Sequence, residues 1–307
     1  MINLLIEIVL MLIMFSIGLT LTIDRFKAVF QYPKSIITGL FLQIIALPLL
    51  AFGFCVVSDI GPEWKVGVLI LSLCPGGTTS NFISYLMKGN VELSVAMTTI
   101  NSLLSVLSIP LLGNFALTYF LNQSATHELA FETTVFQLLL ITLVPMIIGI
   151  VVKRKLPNFT AIIQENFTLK LYSKTFKIAY LKLITMMLLG TMFMVKLFAS
   201  ESAGGTNLTQ HDVLNLLPTV LLFNAFGLTI GYFIPKMLRL KQNTSMTIGI
   251  EVGLQNTSLA FLVIGAFIQN TAMQQPALVY ALFSFWTAIL FALIVKRYGR
   301  LIDEKIE

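Results

Sequence analysis

The sequence predicts an all-α polytopic membrane protein, and three observations support this class. The chain is 57% hydrophobic and only 11% charged, whereas about a quarter of the residues of soluble proteins are charged. Its apolar runs reach about 20 residues, the length of a helix that crosses a bilayer. Short polar segments separate these runs, unlike the alternation over about ten residues that marks the strands of a membrane β-barrel.

The apolar runs predict nine membrane-spanning helices. They fall near residues 2–22, 35–57, 64–87, 91–112, 133–152, 178–198, 213–235, 244–269 and 276–296. The first run lacks a basic start and a small-residue cleavage site, so we interpret it as a retained span and not as a signal peptide.

The basic residues predict the orientation of these spans. Eighteen of the 20 Lys and Arg residues fall in alternate connections and in the C-terminal tail, and only Lys65 and Lys196 lie near the other side. By the positive-inside rule, the C-terminus is cytoplasmic and the N-terminus outside. The net charge of +6 is thus a topological feature that requires no nucleic-acid partner. We infer no obligatory protein partner, and the short loops favour a bacterial inner membrane.

The connection over residues 153–177 is the longest on the predicted inside. It mixes Phe, Ile and Leu with Lys, so it either lies as a surface helix on anionic lipid or tethers two halves of the chain. The halves are a first, four-helix repeat at 1–152 and a second repeat at 178–307.

Features of an enzyme are absent from the sequence. Cys55 and Cys74 lie in hydrophobic segments, where a structural disulfide is not expected. His127 and His211 have no neighbours at metal-ligand spacing, and no nucleotide loop or zinc-protease motif occurs.

Two of the predicted spans are interrupted near their middle. "CPGGTTSN" at 74–81 breaks the third span, and "EVGLQNTS" at 251–258 breaks the eighth. Irregular backbone at membrane depth is tolerated only where protein or a watery cavity satisfies its polar groups. Breaks at corresponding places in two halves are typical of a secondary transporter. The charge pattern gives these spans opposite directions, as inverted repeats require.

Glu251 is the most informative single residue. A carboxylate inside a span costs several kcal/mol unless it is paired, and the sequence offers no intramembrane Lys or Arg as a constant partner. A bound cation is the functional interpretation, and a protonated glutamic acid hydrogen-bonded in the bundle is the alternative. Ser94 and Thr98 lie four residues apart on one helix face. Their hydroxyls suit a hard cation, although each alone could bond its own backbone.

Each broken helix also has two half-helix ends inside the membrane. The C-terminal end of a first half presents carbonyls to a cation, and the N-terminal end of a second half presents N–H groups to an anion. The residues at these N-terminal ends are Thr78, Thr79 and Ser80 in the third span and Asn256, Thr257 and Ser258 in the eighth. This pairing predicts cotransport of sodium with an organic anion.

At these residues the chain resembles a known family. "CPGGTTSN", "LSVAMTTINSLLS" and "EVGLQNTSLA" are similar to the paired signatures of the bile acid:sodium symporter family. "FSIGLTL" and "LQIIALPLL" resemble its earlier spans. The resemblance implies the fold of the apical sodium-dependent bile acid transporter, with two inverted five-helix repeats. This chain starts at what resembles the second helix, so nine helices are expected with the first one missing.

The resemblance further implies a panel domain and a core domain, whose two discontinuous helices cross at their breaks. The spans near 35–57, 64–87, 91–112, 213–235 and 244–269 form the core, and the remaining spans form the panel.

The resemblance also implies two Na⁺ sites, and we expect an anion site beside them. The first sodium site consists of Ser80, Asn81, Ser94, Thr98 and Glu251. The second consists of Gln43, Glu251, Gln255 and the backbone carbonyls of Val252 and Leu254. The anion site consists of Gly77, Thr78, Thr79, Asn224, Asn256, Thr257 and Thr287.

One departure from the family concerns the substrate. Thr287 and Ala288 stand where bacterial bile-salt-transporting relatives carry a His-Asn pair. Bile salt therefore does not carry over directly, and small carboxylates such as pantoate or a keto acid stand beside a bile-salt-like anion as candidates.

The sequence thus predicts Na⁺-coupled uptake of an organic anion by alternating access. A proton-coupled or uncoupled carrier, in which Glu251 titrates, is the alternative. A receptor or scaffold that binds without transport is another.

Overall fold

The computed structural model describes residues 2–20, 33–121, 130–163, 166–171, 174–199 and 205–303, which are mostly helical. The helices are α1 (Ile2–Thr20), α2 (Pro33–Val57), α3 (Pro62–Leu73), α4 (Thr78–Leu86), α5 (Val91–Leu121), α6 (Phe131–Lys155), α7 (Pro157–Ile163), α8 (Tyr180–Phe198), α9 (Gln210–Met237), α10 (Gln242–Gly253), α11 (Thr257–Leu262, continued by a π-helical turn over Val263–Ile268) and α12 (Gln275–Asp303). Two strands, β1 (Asn166–Leu171) and β2 (Lys174–Ala179), lie between α7 and α8.

The helices make this a multi-pass membrane protein. Within the described residues, six helical stretches are long and apolar enough to cross a membrane. The pair α3 and α4, bent by 58° at its junction, is a seventh candidate. The apolar parts of α1 and α8, Glu7–Leu19 and Leu183–Phe198, are shorter. Helices occur at each predicted span, while the count of nine spans and the inverted repeat remain predictions.

The antiparallel hairpin formed by β1 and β2 was not expected in the connection over residues 153–177. We expected a surface helix or a tether, but only α7 is helical there, and β1 pairs antiparallel with β2 from Asn166↔Ala179 to Leu171↔Lys174. The all-α class is therefore incomplete for this part of the chain. The first strand follows from its sequence, because polar and apolar residues alternate throughout "NFTLKL" with the period of a strand. In "KTFKIA" the alternation is limited to the central "TFKI".

One compact unit of the chain contains α1, most of α6, α7, the hairpin and α8. Helices α1 and α6 pack closely in it because glycines face each other. A Cβ at Gly18 would overlap the Met146 carbonyl, and one at Gly149 would overlap the Phe15 carbonyl. Small residues of this kind let the backbones of membrane helices approach.

The other compact unit contains α2 to α5 and α9 to α12, including both breaks. Helix α9 begins with a capping box, in which Thr209 and Asp212 bond each other's backbone and side chain. It packs closely on α10 through Gly231, where a Cβ would lie 2.8 Å from the Gly249 Cα. This close contact positions α10 and the break that follows it.

The last helix belongs to this second unit, which differs from its predicted place in the panel. Ala288, Ala292 and Val295 of α12 are buried in one cluster with Leu228 and Ile250. The small alanines bring α12 against α9 and α10. Hydropathy cannot distinguish such a helix from one that faces lipid, so its assignment to the panel or the core stays a prediction.

The ends of several helices that we predicted to be cytoplasmic lie together in the second unit. Lys34 Nζ donates to the Leu238 carbonyl at 2.8 Å, which joins the start of α2 to the turn after α9. Gln242 Nε2 donates to the Val295 carbonyl at 2.8 Å, which joins the start of α10 to the end of α12. The basic connections of this unit therefore meet at one end.

Candidate binding site at the two helix breaks

The first break separates α3 from α4. Helix α3 ends at Leu73, and Cys74 is extended, with φ −73° and ψ 138°. Pro75 has no backbone N–H, so it cannot continue the ladder of α3. Gly77 is also extended, and α4 begins at Thr78.

The second break separates α10 from α11. Helix α10 ends at Gly253, and Leu254 is extended, with φ −116° and ψ 109°. Asn256 caps the N-terminus of α11, because its Oδ1 accepts the Leu259 N–H at 3.1 Å. The side chain thus satisfies one of the N–H groups that a new helix leaves unpaired.

The two breaks touch each other. The Asn256 N–H donates to the Pro75 carbonyl at 2.8 Å. A Cβ placed on Gly77 would lie 3.8 Å from the Asn256 Cβ, which is van der Waals distance, so the two breaks approach each other closely. A backbone N–H of the second break and a backbone carbonyl of the first therefore satisfy each other's hydrogen-bonding requirement, as buried polar backbone groups must.

The Glu251 carboxylate lies fully buried beside these breaks. Ser94 Oγ donates to its Oε2 at 3.0 Å, and Thr98 Oγ1 donates to its Oε1. Ser80 lies beside the same carboxylate, and Asn81 Oδ1 is 3.4 Å from Thr98 Oγ1. The structure thus gathers every residue that we predicted for the first sodium site.

Gly76 lies directly against this carboxylate. A Cβ at Gly76 would overlap the Glu251 carboxylate and would lie 3.0 Å from Ser80 Oγ. The glycine therefore lets the first break approach the acid directly.

A second polar cluster lies next to the first break. Gln43 Nε2 donates to the Cys74 carbonyl at 3.0 Å and to Gln255 Oε1 at 2.8 Å. Gln255 Nε2 donates to the Val252 carbonyl at 2.7 Å. A π-helical turn over Leu42–Ala46 carries Gln43, and such turns are frequent at functional sites.

These bonds bring together most of the residues predicted for the second sodium site. Hydrogen bonds link Gln43 to Gln255 and Gln255 to the Val252 carbonyl. Leu254, which precedes Gln255 in the sequence, is buried. The described bonds of Glu251 lead to Ser94 and Thr98 of the first cluster, so the two predicted sites do not share the carboxylate through a direct bond in this structure.

Five of the seven residues predicted to bind the anion lie in two groups at the starts of α4 and α11. Gly77, Thr78 and Thr79 are half-buried at the start of α4, while Asn256 and Thr257 are buried at the start of α11. These two groups are adjacent, because the two breaks touch.

The remaining predicted residues form a network at the end of α10. Asn224 Nδ2 donates to the Gly253 carbonyl at 2.7 Å, and Thr287 Oγ1 donates to Asn224 Oδ1 at 2.6 Å. The Tyr280 hydroxyl also donates to the Gly253 carbonyl. Sequence reasoning missed Tyr280, because in "LVYALF" it resembles any other apolar residue of the last span.

The comparisons with known proteins identify the family. A model of the Sodium Bile acid symporter family matches residues 7–203, a range that contains the first break. This chain belongs to that family. Members of the sodium bile acid symporter family are transporters and not enzymes, so the predicted class is confirmed.

Individual relatives agree with the family assignment. The chain is 31% identical over 295 residues to an uncharacterized sodium-dependent transporter, YocS, of Bacillus subtilis, which covers 96% of this chain and 83% of that protein. It is 28% identical over 267 residues to rice BASS2, a probable chloroplastic sodium/metabolite cotransporter, covering 87% of this chain but 58% of that protein. It is 28% identical over 257 residues to the mouse ileal sodium/bile acid cotransporter, covering 84% and 68%.

Proposed function

We propose that this protein couples the inward movement of Na⁺ to uptake of an organic anion. The observation that carries the proposal is the buried Glu251 carboxylate between the two touching breaks, whose described bonds come from the hydroxyls of Ser94 and Thr98. The printed names of its relatives, sodium-dependent transporter and sodium/metabolite cotransporter, support the same coupling.

The first cluster suits Na⁺ chemically. Neutral hydroxyls do not balance the charge of a carboxylate, and an isolated charge inside a membrane protein is costly. A Na⁺ ion among Glu251, Ser80, Asn81, Ser94 and Thr98 would supply that balance with oxygen ligands, which hard cations prefer. Within the described residues, no group of three or more His, Cys, Asp or Glu side chains comes together, so the donors suit an alkali ion better than a transition metal.

A second Na⁺ ion belongs to the cluster around Gln43. Gln43 Oε1 is buried and has no hydrogen-bond partner. An unpaired buried acceptor costs free energy, and a cation held with Gln255 and the Val252 and Leu254 carbonyls would remove that cost. Two Na⁺ ions, the Glu251 carboxylate and a monoanionic substrate sum to zero charge, which favours this stoichiometry.

The anion binds at the half-helix N-termini. Free N–H groups and the positive end of the helix dipole attract negative charge there. Gly77, Thr78 and Thr79 of α4 would contact the carboxylate together with Asn256 and Thr257. Asn224 and Thr287 would contact the neutral part of the substrate, because they offer only amide and hydroxyl groups.

The substrate is a small carboxylate such as pantoate or a keto acid, with a bile-salt-like anion as the alternative. Thr287 and Ala288, in place of the His-Asn pair of bile-salt-transporting relatives, favour the smaller class. Transport proceeds by alternating access in a bacterial inner membrane, with the N-terminus outside and the C-terminus in the cytoplasm. The unit that holds the breaks serves as the core.

Uptake into liposomes tests this function. A thermal-shift screen of pantoate, a small keto acid and cholate, each with and without Na⁺, first selects the anion. Its labelled form is then offered under inward gradients of Na⁺, K⁺ or choline. We expect uptake in Na⁺ alone, because the proposed coupling requires Na⁺ at the two clusters.

Two variants complete the test. Glu251→Gln removes the charge at constant size and should lower uptake to background. Glu92→Gln, at an exposed glutamate in the first turn of α5, should keep full uptake. Equal uptake in choline, or full uptake by Glu251→Gln, would contradict the proposal. Uptake in choline that follows an imposed pH gradient would instead support proton coupling.

A further inference from the structure

The two breaks are built alike around an amide side chain. In the first break, Gln43 of α2 donates to the carbonyl of Cys74 just after α3. In the second break, Asn224 of α9 donates to the carbonyl of Gly253 at the end of α10. In each half of the chain, an amide from the preceding helix therefore binds the end of the first half-helix.

The two amides differ at their oxygen atoms. Asn224 Oδ1 accepts a bond from the Thr287 hydroxyl at 2.6 Å. Gln43 Oε1 is buried and has no partner. The Gln43 amide cannot simply be reversed, because its Nε2 already donates both to Cys74 and to Gln255. The amide oxygen at the first break thus lacks a hydrogen-bond partner, whereas the corresponding oxygen at the second break has one.

Asn101 of α5 faces the same cavity as Gln43. Its side chain is 2% exposed, and both its Oδ1 and its Nδ2 lack partners. The cavity that both residues line measures about 10 Å³, enough for one particle the size of a water molecule. Pro75, Ser105 and Ser108 also line it, and the rest of the lining is apolar: Ile44, Pro48 and Leu73.

The chemistry of this cavity favours a cation. Ser105 Oγ donates its proton to the Ser102 carbonyl at 2.9 Å, so it faces the cavity with acceptor lone pairs. Together with Gln43 Oε1 and Asn101 Oδ1 it gives three acceptor oxygens, beside which the Asn101 Nδ2 and the Ser108 hydroxyl are the remaining side-chain donors of the lining. The C-terminal end of α3 adds the negative end of a helix dipole. The cavity lining contains no Lys or Arg that could hold an anion.

We propose that Asn101, opposite Gln43, provides a neutral-oxygen ligand for Na⁺ at the end of α3, beyond the residues that the family resemblance assigns. This inference rests on the proposed Na⁺ coupling. Asn101 would thereby set the affinity for the second Na⁺ ion by adding an oxygen ligand from α5 beside Gln43.

Titration of Na⁺ into the purified protein tests this role without any transported anion. Isothermal titration calorimetry with NaCl, in choline chloride of constant ionic strength, compares the protein with three variants of α5. Asn101→Leu removes both unpaired atoms at similar size and should weaken Na⁺ binding about tenfold or more, because a polar ligand to a charge is lost. Asn101→Asp adds a carboxylate and should tighten Na⁺ binding. Thr99→Val is the matched control, because Thr99 is buried, bonds only the Val95 carbonyl among the described contacts, and does not line the cavity.

Opposite shifts for Asn101→Leu and Asn101→Asp, with Thr99→Val unchanged, would support the inference. Unchanged Na⁺ affinity in both Asn101 variants would overturn it and leave the cavity to a water molecule. Glu251→Gln, titrated in parallel, separates this failure from a failure of the proposed function. If the protein and Glu251→Gln titrate alike, Na⁺ coupling itself fails. If they differ while the Asn101 variants match the protein, the role of Asn101 alone fails.

Discussion

The Glu251 carboxylate determines the chemistry of the site at the scale of single residues. It is buried in α10, and hydroxyls from α5 bond both of its oxygens. Its importance follows from sequence, because an acid within an apolar span has few structural explanations. The spacing of Ser94 and Thr98 predicted that both would face one point, and the structure confirms that they do.

Other residues of the site were beyond sequence reasoning. The sequence does not single out Asn101 or Tyr280. Asn101 is one of many polar residues in α5, and Tyr280 lies in a uniformly apolar stretch of α12. Their partners come from other helices: Tyr280 bonds Gly253, and Asn101 lines a cavity with Gln43. Only the packing of helices distant in sequence selects them, and a single sequence carries no record of that packing.

Gly76 gives a prediction at this scale. Gly76→Ala places a methyl group where the Glu251 carboxylate lies, so we expect weaker Na⁺ binding and a loss of about 1–3 kcal/mol of stability from overpacking. Thermal unfolding at several Na⁺ concentrations measures both effects. Gly53→Ala is the control, because nothing lies within 4 Å of an added Cβ there. A Gly76→Ala protein with the Na⁺ response of Gly53→Ala would show that the close approach is unimportant.

At the scale of elements, the two breaks were predictable and their surroundings were not. Proline and paired glycines in the third span, and Glu, Gln and Asn in the eighth, announce irregular backbone in an apolar context. The hairpin of β1 and β2 was missed because a segment between spans was treated as a connection, although the residues of β1 alternate with the period of a strand. Helix α12, which the resemblance places in the panel, packs in the unit that holds the breaks, and its alanines give no sign in the sequence of which helix they contact.

Asn256 gives a prediction for the element α11. Asp accepts the capping bond as well as Asn does, so Asn256→Asp should keep the stability of α11 within about 0.5 kcal/mol. Its added negative charge would repel an anion at the same N-terminus, and the affinity for the organic anion should fall about tenfold or more. Thermal unfolding and titration of the selected anion measure the two effects.

Asn256→Ala supplies the contrasting result for that prediction. It removes the cap without adding charge, so stability should fall by about 1 kcal/mol, while repulsion of the anion should be absent. An Asn256→Asp protein that binds the anion normally would argue that the anion lies elsewhere.

At the scale of the whole molecule, composition and hydropathy were sufficient for the membrane class. The two compact units were not evident from sequence order, because one unit combines the beginning of the chain with its middle. The division nevertheless separates α1 and α8 from every residue of both predicted sodium sites. The Lys34–Leu238 and Gln242–Val295 bonds join segments that lie close to connections predicted to be cytoplasmic from their charge.

The most direct test of Na⁺ coupling is a flux of Na⁺ driven by the anion. Proteoliposomes hold radioactive Na⁺ at equal concentration on both sides, and the anion selected by thermal shift is added outside. We predict that the anion gradient drives Na⁺ inward although the Na⁺ concentrations are equal on both sides, with two Na⁺ ions per anion. We also predict that Glu251→Gln abolishes this flux. Entry of the anion with no accompanying Na⁺ would contradict the account.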